Sequence, residues 1–313
     1  MKTAVVIVNL GGPESQQEIR PFLFNIFNDS ELIKFPFGRK GQSFFARVFS
    51  RIRASKASGL YAQIGGGSPI RYNTVKQARA LEVVLQKDGK FRVFTAQRYW
   101  HPFISEVIEP LKQGNYEHII LLPLFPQYSN TTTLSIINEW VLNAQELPTP
   151  HIVQRFNCHP KYIQACIERI LGKIEDFSER PHILFSADSI PKSQVKKGDP
   201  YEDEILETVD LIMENFHGYG HSLCYQSKMR PIKWLEPDVD SELHELYNRG
   251  IRNILIFPVG FVSENLETLY HLDIKIRDIA KTLGFTQYER ADTVQDHPLF
   301  IECLQELVLE LCE

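Results

Sequence analysis

Short apolar runs rich in β-branched residues alternate along this chain with stretches of helical period. Runs at 3–10, 91–97, 118–124, 151–155, 182–187, 221–226 and 253–259 read as strands. Apolar positions recurring every three or four residues predict helices over 74–87, 104–113, 133–146, 160–175, 202–216, 240–249, 264–282 and 297–312. Strands separated by helices imply an α/β fold of parallel sheets covered on both faces. The Glu-Leu-Pro-Thr-Pro stretch at 146–150 breaks helix and sets the expected boundary between domains 1–148 and 149–313. The two parts echo each other. Ile119-Ile-Leu-Leu-Pro and Ile254-Leu-Ile-Phe-Pro each put a proline after four apolar residues, then a serine, then a helix start. Each reads as a strand whose C-terminal end opens onto a ligand cleft between the halves.

Composition narrows the class. With 43% apolar and 23% charged residues in 313, the chain has the balance of an ordinary soluble globular protein. No segment reaches the ~20 apolar residues that span a bilayer, and the run Ala4–Val8 is too short for a signal-peptide core. The five cysteines, an odd count with no CxxC pair, signal neither a disulfide framework nor a zinc or iron–sulfur site. Reduced thiols and a cytoplasmic location are the expectation.

The net charge of −5 conceals an asymmetry: Leu32 to Leu81 holds ten Lys or Arg and no acidic residue. Inside it Phe44, Phe45, Val48, Phe49 and Ile52 fall on one helical stripe beside Arg47 and Arg51. Such a stripe fits an anionic ligand, an anionic membrane surface, or an ordinary amphipathic helix with snorkelling arginines on the core. Nucleic acid is not indicated, because the rest of the chain is acidic and carries no recognition motif.

Several motifs bear chemistry. Asn9-Leu-Gly-Gly-Pro closes the first strand in a tight turn or lets backbone approach a ligand. Ile64-Gly-Gly-Gly-Ser-Pro-Ile exposes backbone N–H groups that can cradle an anion, or is a flexible loop; it lacks the Gly-Lys-Ser/Thr ending of a nucleotide phosphate loop. Gln97-Arg-Tyr-Trp-His-Pro offers a guanidinium and rings to a flat aromatic carboxylate, or an internal ion pair beside core aromatics. Trp234 is a ligand wall or a buried plug. Asp188, after the strand ending Phe185-Ser-Ala-Asp, can cap a turn, bind a metal or move a proton. Glu264, Glu267, His271 and Lys275 recur along one helix face.

In this order, with Leu-Phe-Pro-Gln-Tyr-Ser, Gly-Asp-Pro-Tyr, Gln-Ser-Lys and Phe-Val-Ser-Glu-Asn-Leu-Glu-Thr-Leu-Tyr, these motifs resemble the ferrochelatases, which insert iron into porphyrins. The resemblance runs over roughly residues 3–310 and implies two Rossmann-like domains with the porphyrin in the cleft between them. It implies porphyrin and ferrous iron as substrates, no consumed cofactor, and no [2Fe–2S] centre, because the C-terminal cysteine cluster of some members is absent. Arg53, Tyr61, Ser68, Arg98, Tyr99 and Trp234 look like porphyrin contacts. The basic Phe-rich segment 35–56 would form the cleft's lip and touch the inner face of a membrane.

The departures from the family fall on the metal-facing residues. Where the family carries a histidine in Phe-Ser-Ala-His, this chain has Asp188; the histidine two residues before the key glutamate is Asn265. Glu267 is kept, and the two acids that follow on that face are His271 and Lys275. Metalation removes two pyrrole protons, and an aspartate of ordinary pKa ~4 is a far weaker base than imidazole. The resemblance therefore implies either an active enzyme, in which Asp188 and Glu267 bind metal or shuttle protons with help from His271, or a silent paralogue that holds porphyrin or haem as carrier, sensor or scaffold.

Overall fold

Each predicted apolar run forms a parallel strand in the computed structural model, which describes residues 2–226 and 232–312. The elements, in chain order, are β1 (Lys2–Asn9), α1 (Ile19–Asn28), α2 (Gly38–Ala62), α3 (Ile70–Leu85), β2 (Lys90–Gln97), α4 (Ile104–Gly114), β3 (His118–Pro123), α5 (Ser135–Asn143) and β4 (His151–Ile152). There follow α6 (Pro160–Ile174), β5 (His182–Asp188), α7 (Lys192–Val195), α8 (Tyr201–Met213), β6 (His221–Gln226), α9 (Val239–Asn248), β7 (Asn253–Phe257), α10 (Arg277–Leu283), β8 (Gln287–Arg290) and α11 (Pro298–Glu310). Two π-helical segments, Asn130–Leu134 and Glu267–Ile276, run directly into α5 and α10.

The strands make two four-stranded parallel sheets with orders β2-β1-β3-β4 and β6-β5-β7-β8. The orders are the same once the second set is numbered from its own first strand. β3 and β7, the strands of the sequence echo, hold equivalent places, and a π-helical segment follows each. Two similar α/β halves are therefore present.

The chain divides into two compact units, Met1–Gln154 with Leu304–Glu313, and Arg155–Cys303. The division falls a few residues beyond the predicted boundary, and the end of α11 returns to the first unit. α5 already ends at Asn143, and after the prolines at 148 and 150 β4 must still pair with β3 before the chain leaves the sheet.

In the first unit Ala4, Val6, Val8, Ile119 and Leu121 pack on α4 and α5 through Ile104, Ile108, Leu111, Ile136 and Trp140. In the second, Leu184, Cys224, Ile254 and Ile256 line one sheet face and pack on Val239 and Leu243 of α9 and on Leu272 and Ile276 of the second π-helix. Successive strand residues alternate faces, so this face continues upward through Asp188 and Gln226 at the C-terminal strand ends.

Two elements depart from expectation. β8 escapes a periodicity reading because Gln-Tyr-Glu-Arg is mostly polar; Tyr288 and Arg290 are nevertheless the buried pair of its alternation. On α2 the buried face is Gly41, Gln42, Ala46 and Ser50, while Phe44 and Ile52 are 60% and 66% exposed. The Phe stripe is thus split: Phe44 and Ile52 face outward, while Phe45 and Phe49 pack on Phe35 with ring centroids 5.4 and 5.3 Å apart. Gln42 explains the inversion: its amide donates to the Phe27 and Ile33 carbonyls at 2.8 and 2.7 Å and accepts from Phe35 N at 2.9 Å. Among the described residues no helix is long and apolar enough to cross a membrane.

Candidate functional site

The two units carry different parts of the candidate machinery. In the first, the glycine motifs meet. Gly11 has φ +91°, and a side chain there would strike the Trp100 backbone at 3.1 Å; one on Gly12 would meet Ser68 Cβ at 2.6 Å. The turn after β1 therefore closes onto Gly67-Ser68, with Ser68 N donating to the Pro13 carbonyl at 2.7 Å. The N–H groups of Ile64 and Gly66 both bond the Tyr61 carbonyl at the end of α2, at 3.0 and 2.8 Å. The N–H groups of Ile64, Gly66 and Ser68 are thus engaged on backbone, while a Cβ on Gly65 or Gly66 would meet nothing within 4 Å. Tyr61 is buried, Ser68 is half-buried, and Arg53 is exposed on α2.

Arg98 and Tyr99 belong to an internal network. Asp29 Oδ2 accepts from Arg98 at 2.9 Å, from Tyr99 Oη at 2.7 Å and from Ser135 Oγ at 2.6 Å, while a second arm of Arg98 reaches Glu139 at 3.2 Å. Tyr99 is 1% exposed, and its hydroxyl is pushed far above its ordinary pKa by burial and by Asp29. The geometry thus favours the internal ion pair over a porphyrin-carboxylate contact for these two residues. Arg98 has two carboxylates already, and the Tyr99 ring has no free face. A cavity of about 360 Å³ borders this network, lined by Asn25, Asp29, Glu31, Arg98, Asn138 and Glu139 among others.

In the second unit, Asp188 ends β5 directly across the ladder from Gln226. Its carboxylate accepts from Ser189 N at 2.9 Å, and its carbonyl accepts from Tyr201 Oη at 3.0 Å. Tyr201 closes the Gly-Asp-Pro-Tyr motif, whose Asp199 caps α8 by accepting from Tyr201 N at 3.1 Å. The two motifs are thereby coupled: one supplies the carboxylate, the other pins its backbone. Gly260 passes close by, since a Cβ there would lie 3.1 Å from Tyr201 Oη and 3.6 Å from Asp188 N.

The helix that carries Glu267 is built in two steps. Asn265 caps it, accepting from Thr268 N at 3.1 Å while Thr268 Oγ1 accepts from Asn265 N at 3.0 Å. Glu264 does not join the ridge. It turns inward to Arg290 at 3.1 Å and to Thr293 N at 3.0 Å, and Arg290 also grips Asp273 at 2.7 and 2.8 Å. The ridge then runs Glu267, His271, Lys275 along the π-helix, a rare geometry that recurs at functional sites.

Burial pushes the Glu267 carboxyl above its ordinary pKa, opposed only by its own backbone N–H. His271 is driven the other way, down to about 4, first by burial and then by the Lys275 ammonium, with Asp240 opposing. Its Nδ1 lies 2.8 Å from Gln226 Oε1 and its Nε2 lies 3.3 Å from Lys275 Nζ, which in turn bonds Asp240 at 3.2 Å.

The structure therefore brings Asp188, Gln226 and His271 to one end of one sheet face, with Glu267 one turn before His271. Trp234 is half-buried and pairs with Pro191 in an isolated antiparallel bridge three residues after Asp188, where Lys192 N donates to the Lys233 carbonyl at 2.9 Å. Ser227 and Lys228 of the Gln-Ser-Lys motif lie outside the described residues. Sequence reasoning missed Gln226, Asp240 and Arg290 as parts of the site. Each reaches it from 26 to 45 residues away, and no local pattern marks such a contact. Among the described residues no group of three or more His, Cys, Asp or Glu is arranged to hold a metal ion.

Comparison with known proteins follows the same lines. A family model described as Ferrochelatase matches residues 2–311. The chain is 40% identical to the ferrochelatase of Aquifex aeolicus over 98% of its own length and 99% of that protein's. It is 42% identical to that of Geotalea uraniireducens, over 98% and 97% respectively. Among solved structures, SirB from Bacillus subtilis with Fe3+ superposes at TM-score 0.58 and 15% identity, covering 99% of this chain and 96% of that one. CbiX, the terminal enzyme for biosynthesis of sirohaem in denitrifying bacteria, superposes at 0.56 and 12%, with 98% of each chain covered. These structures share the two-domain α/β chelatase fold.

Proposed function

Because the chain belongs to the ferrochelatase family, we propose that it inserts ferrous iron into a porphyrin, with Asp188 and Glu267 as the groups that meet metal and protons. Porphyrin and Fe²⁺ are substrates, and no cofactor is consumed. The observation that carries the assignment of roles is the opposite displacement of the two candidate bases on the ridge. Glu267 is held above the usual carboxylate range by burial, which brings it nearer the working pH of a general base. His271 is held far below the usual imidazole range, and both its ring nitrogens are engaged. Glu267 is thus the better-matched proton acceptor, and Asp188, anchored through its carbonyl by Tyr201, supplies a second oxygen ligand of the kind ferrous iron accepts. The substrate face on the first unit is assigned to Arg53, Tyr61 and Ser68, and on the second to Trp234. Anaerobic insertion of Fe²⁺ or Zn²⁺ into a dicarboxylate and a tetracarboxylate porphyrin, beside binding titrations of each and of haem, tests the reading. Tight binding without turnover would overturn it in favour of a porphyrin-holding protein.

The protein is further proposed to be cytoplasmic and to touch the inner face of a membrane through segment 35–56. Phe37 is 84% exposed, Phe44 and Ile52 are exposed beside it, and Arg39, Lys40, Arg47 and Arg51 flank them with no acid from Leu32 to Leu81. Exposed apolar and basic side chains together suit an anionic lipid surface. Co-sedimentation with phosphatidylserine vesicles but not with phosphatidylcholine vesicles, reduced by Phe44→Ser with Ile52→Ser, is the expected result. Equal recovery in the supernatant with both vesicle types would refute it.

A further inference from the structure

Gln226 is 3% exposed, yet among the described residues its amide nitrogen has no partner, while its side-chain oxygen is bonded to His271. A buried donor left unmade is costly, so a residue kept in this arrangement needs a reason. The reason lies in what the amide does to the imidazole. Lys275 is an ammonium paired with Asp240 and has only protons to offer; the Nε2 it approaches must therefore be the lone-pair nitrogen. A neutral imidazole with Nε2 as acceptor carries its proton on Nδ1, and that proton points at Gln226 Oε1. Both nitrogens are then fixed, one by each neighbour. Gln226 in turn sits across the β5–β6 ladder from Asp188, and Ser189 N donates to the Gln226 carbonyl at 3.0 Å.

We propose that Gln226 is a positioning residue for metalation: it fixes His271 as the Nδ1–H tautomer, Lys275 closes Nε2, and the locked imidazole is a strut tying the turn that carries Glu267 to the strand beside Asp188. His271 then neither accepts a substrate proton nor ligates iron, although it occupies a position on the ridge. Lys275 and Asp240 complete the strut from α9. The unpartnered amide N–H of Gln226 is left on the face it shares with Asp188, as a donor for an oxygen atom arriving there with the substrates, such as water on the incoming iron. This inference rests on the metalation reading for its consequence but not for its geometry.

The test separates the two. Two-bond ¹H–¹⁵N spectra of the ¹⁵N-histidine-labelled full chain, without substrate, are expected to show His271 with a pyrrole-type Nδ1 and a pyridine-type Nε2. Lys275→Met should let the tautomers mix, and Gln226→Leu should release Nδ1–H. In the metalation assay Gln226→Leu is expected to lower kcat about tenfold or more with KM for porphyrin unchanged, the usual scale for loss of a residue that orients another. Gln226→Glu, which keeps an acceptor for Nδ1–H, should recover most of the loss. An Nε2–H tautomer in the wild-type chain would overturn the proposal whatever the kinetics. A wild-type kcat in Gln226→Leu would overturn the positioning role. Absence of metalation in the wild type with the predicted tautomer present would instead refute the functional reading and leave the strut in place.

Discussion

Glu267→Gln separates a catalytic carboxylate from a structural one, because the two roles predict opposite effects on stability. In the native chain the Glu267 carboxyl is half-buried and desolvated, and no cation among the described residues offsets it; only its own backbone N–H opposes the upward shift. A group whose folded pKa lies above its unfolded value contributes stability that is complete below the unfolded pKa, near 4.5, and is lost as pH rises through the folded value. At neutral pH the ionised side chain is therefore a liability. Leaving a buried polar group without a partner costs about 1–3 kcal/mol. Replacing it with an isosteric amide, which has no charge to desolvate, should return about 1 kcal/mol of that. For a unit of this size, 1 kcal/mol moves Tm by about 2–4 °C. Thermal melting followed by circular dichroism from pH 4 to pH 8 should show the variant melting higher than wild type at pH 8 and the two converging at pH 4. Anaerobic zinc insertion should meanwhile fall by about 10²–10⁴-fold, the loss typical of a general base. A variant that melts lower at pH 8, or that keeps wild-type turnover, refutes the assignment of Glu267 as the base.

Three further substitutions probe the neighbouring parts. Asp188→His should raise metalation at neutral pH by about tenfold or more, since imidazole is the better-matched base there; unchanged turnover would refute the view that the aspartate at 188 limits the rate. Arg98→Ala strips the almost fully buried Asp29 of its cation and should lower unfolding free energy by about 3–5 kcal/mol in urea titrations, with little change in porphyrin affinity in whatever folds. Unchanged stability with weakened porphyrin binding would restore Arg98 to the substrate face. Arg290→Met leaves Glu264 buried without its cation and should cost about 3–5 kcal/mol; retention of wild-type stability would refute the view that this network anchors the helix that carries Glu267.

The chain's local patterns carried most of the architecture. The strand runs, the π-bearing helix after β7 and the duplication could be read from period and from the paired prolines at 123 and 258. Some contacts lie within a single motif: Asn265 and Thr268 are three apart and cap the same helix, and Asp199 caps α8 two residues on. Where a motif offered two readings, sequence could not choose. Arg98 beside Tyr99 fits a carboxylate ligand as well as an internal pair, and only the arrival of Asp29, 69 residues away, decides for the pair. The Phe stripe of α2 likewise fits either side of a helix; Gln42, bonded to three backbone groups of the preceding segment, turns the small-residue face inward.

By itself the sequence determined the identity and order of the chemical groups: a carboxylate at 188 in place of a histidine, a glutamate at 267, an imidazole and an ammonium one and two turns on. Their protonation and availability were decided only by tertiary structure. Desolvation and hydrogen-bond partners set those properties, and both come from residues distant in the chain. Burial lifts Glu267 and lowers His271, while Gln226, 45 residues upstream, and Lys275, held by Asp240, occupy the two imidazole nitrogens. The side chain that looked most like the replacement base is proposed to be a strut, and the carboxylate one turn before it to be the proton acceptor.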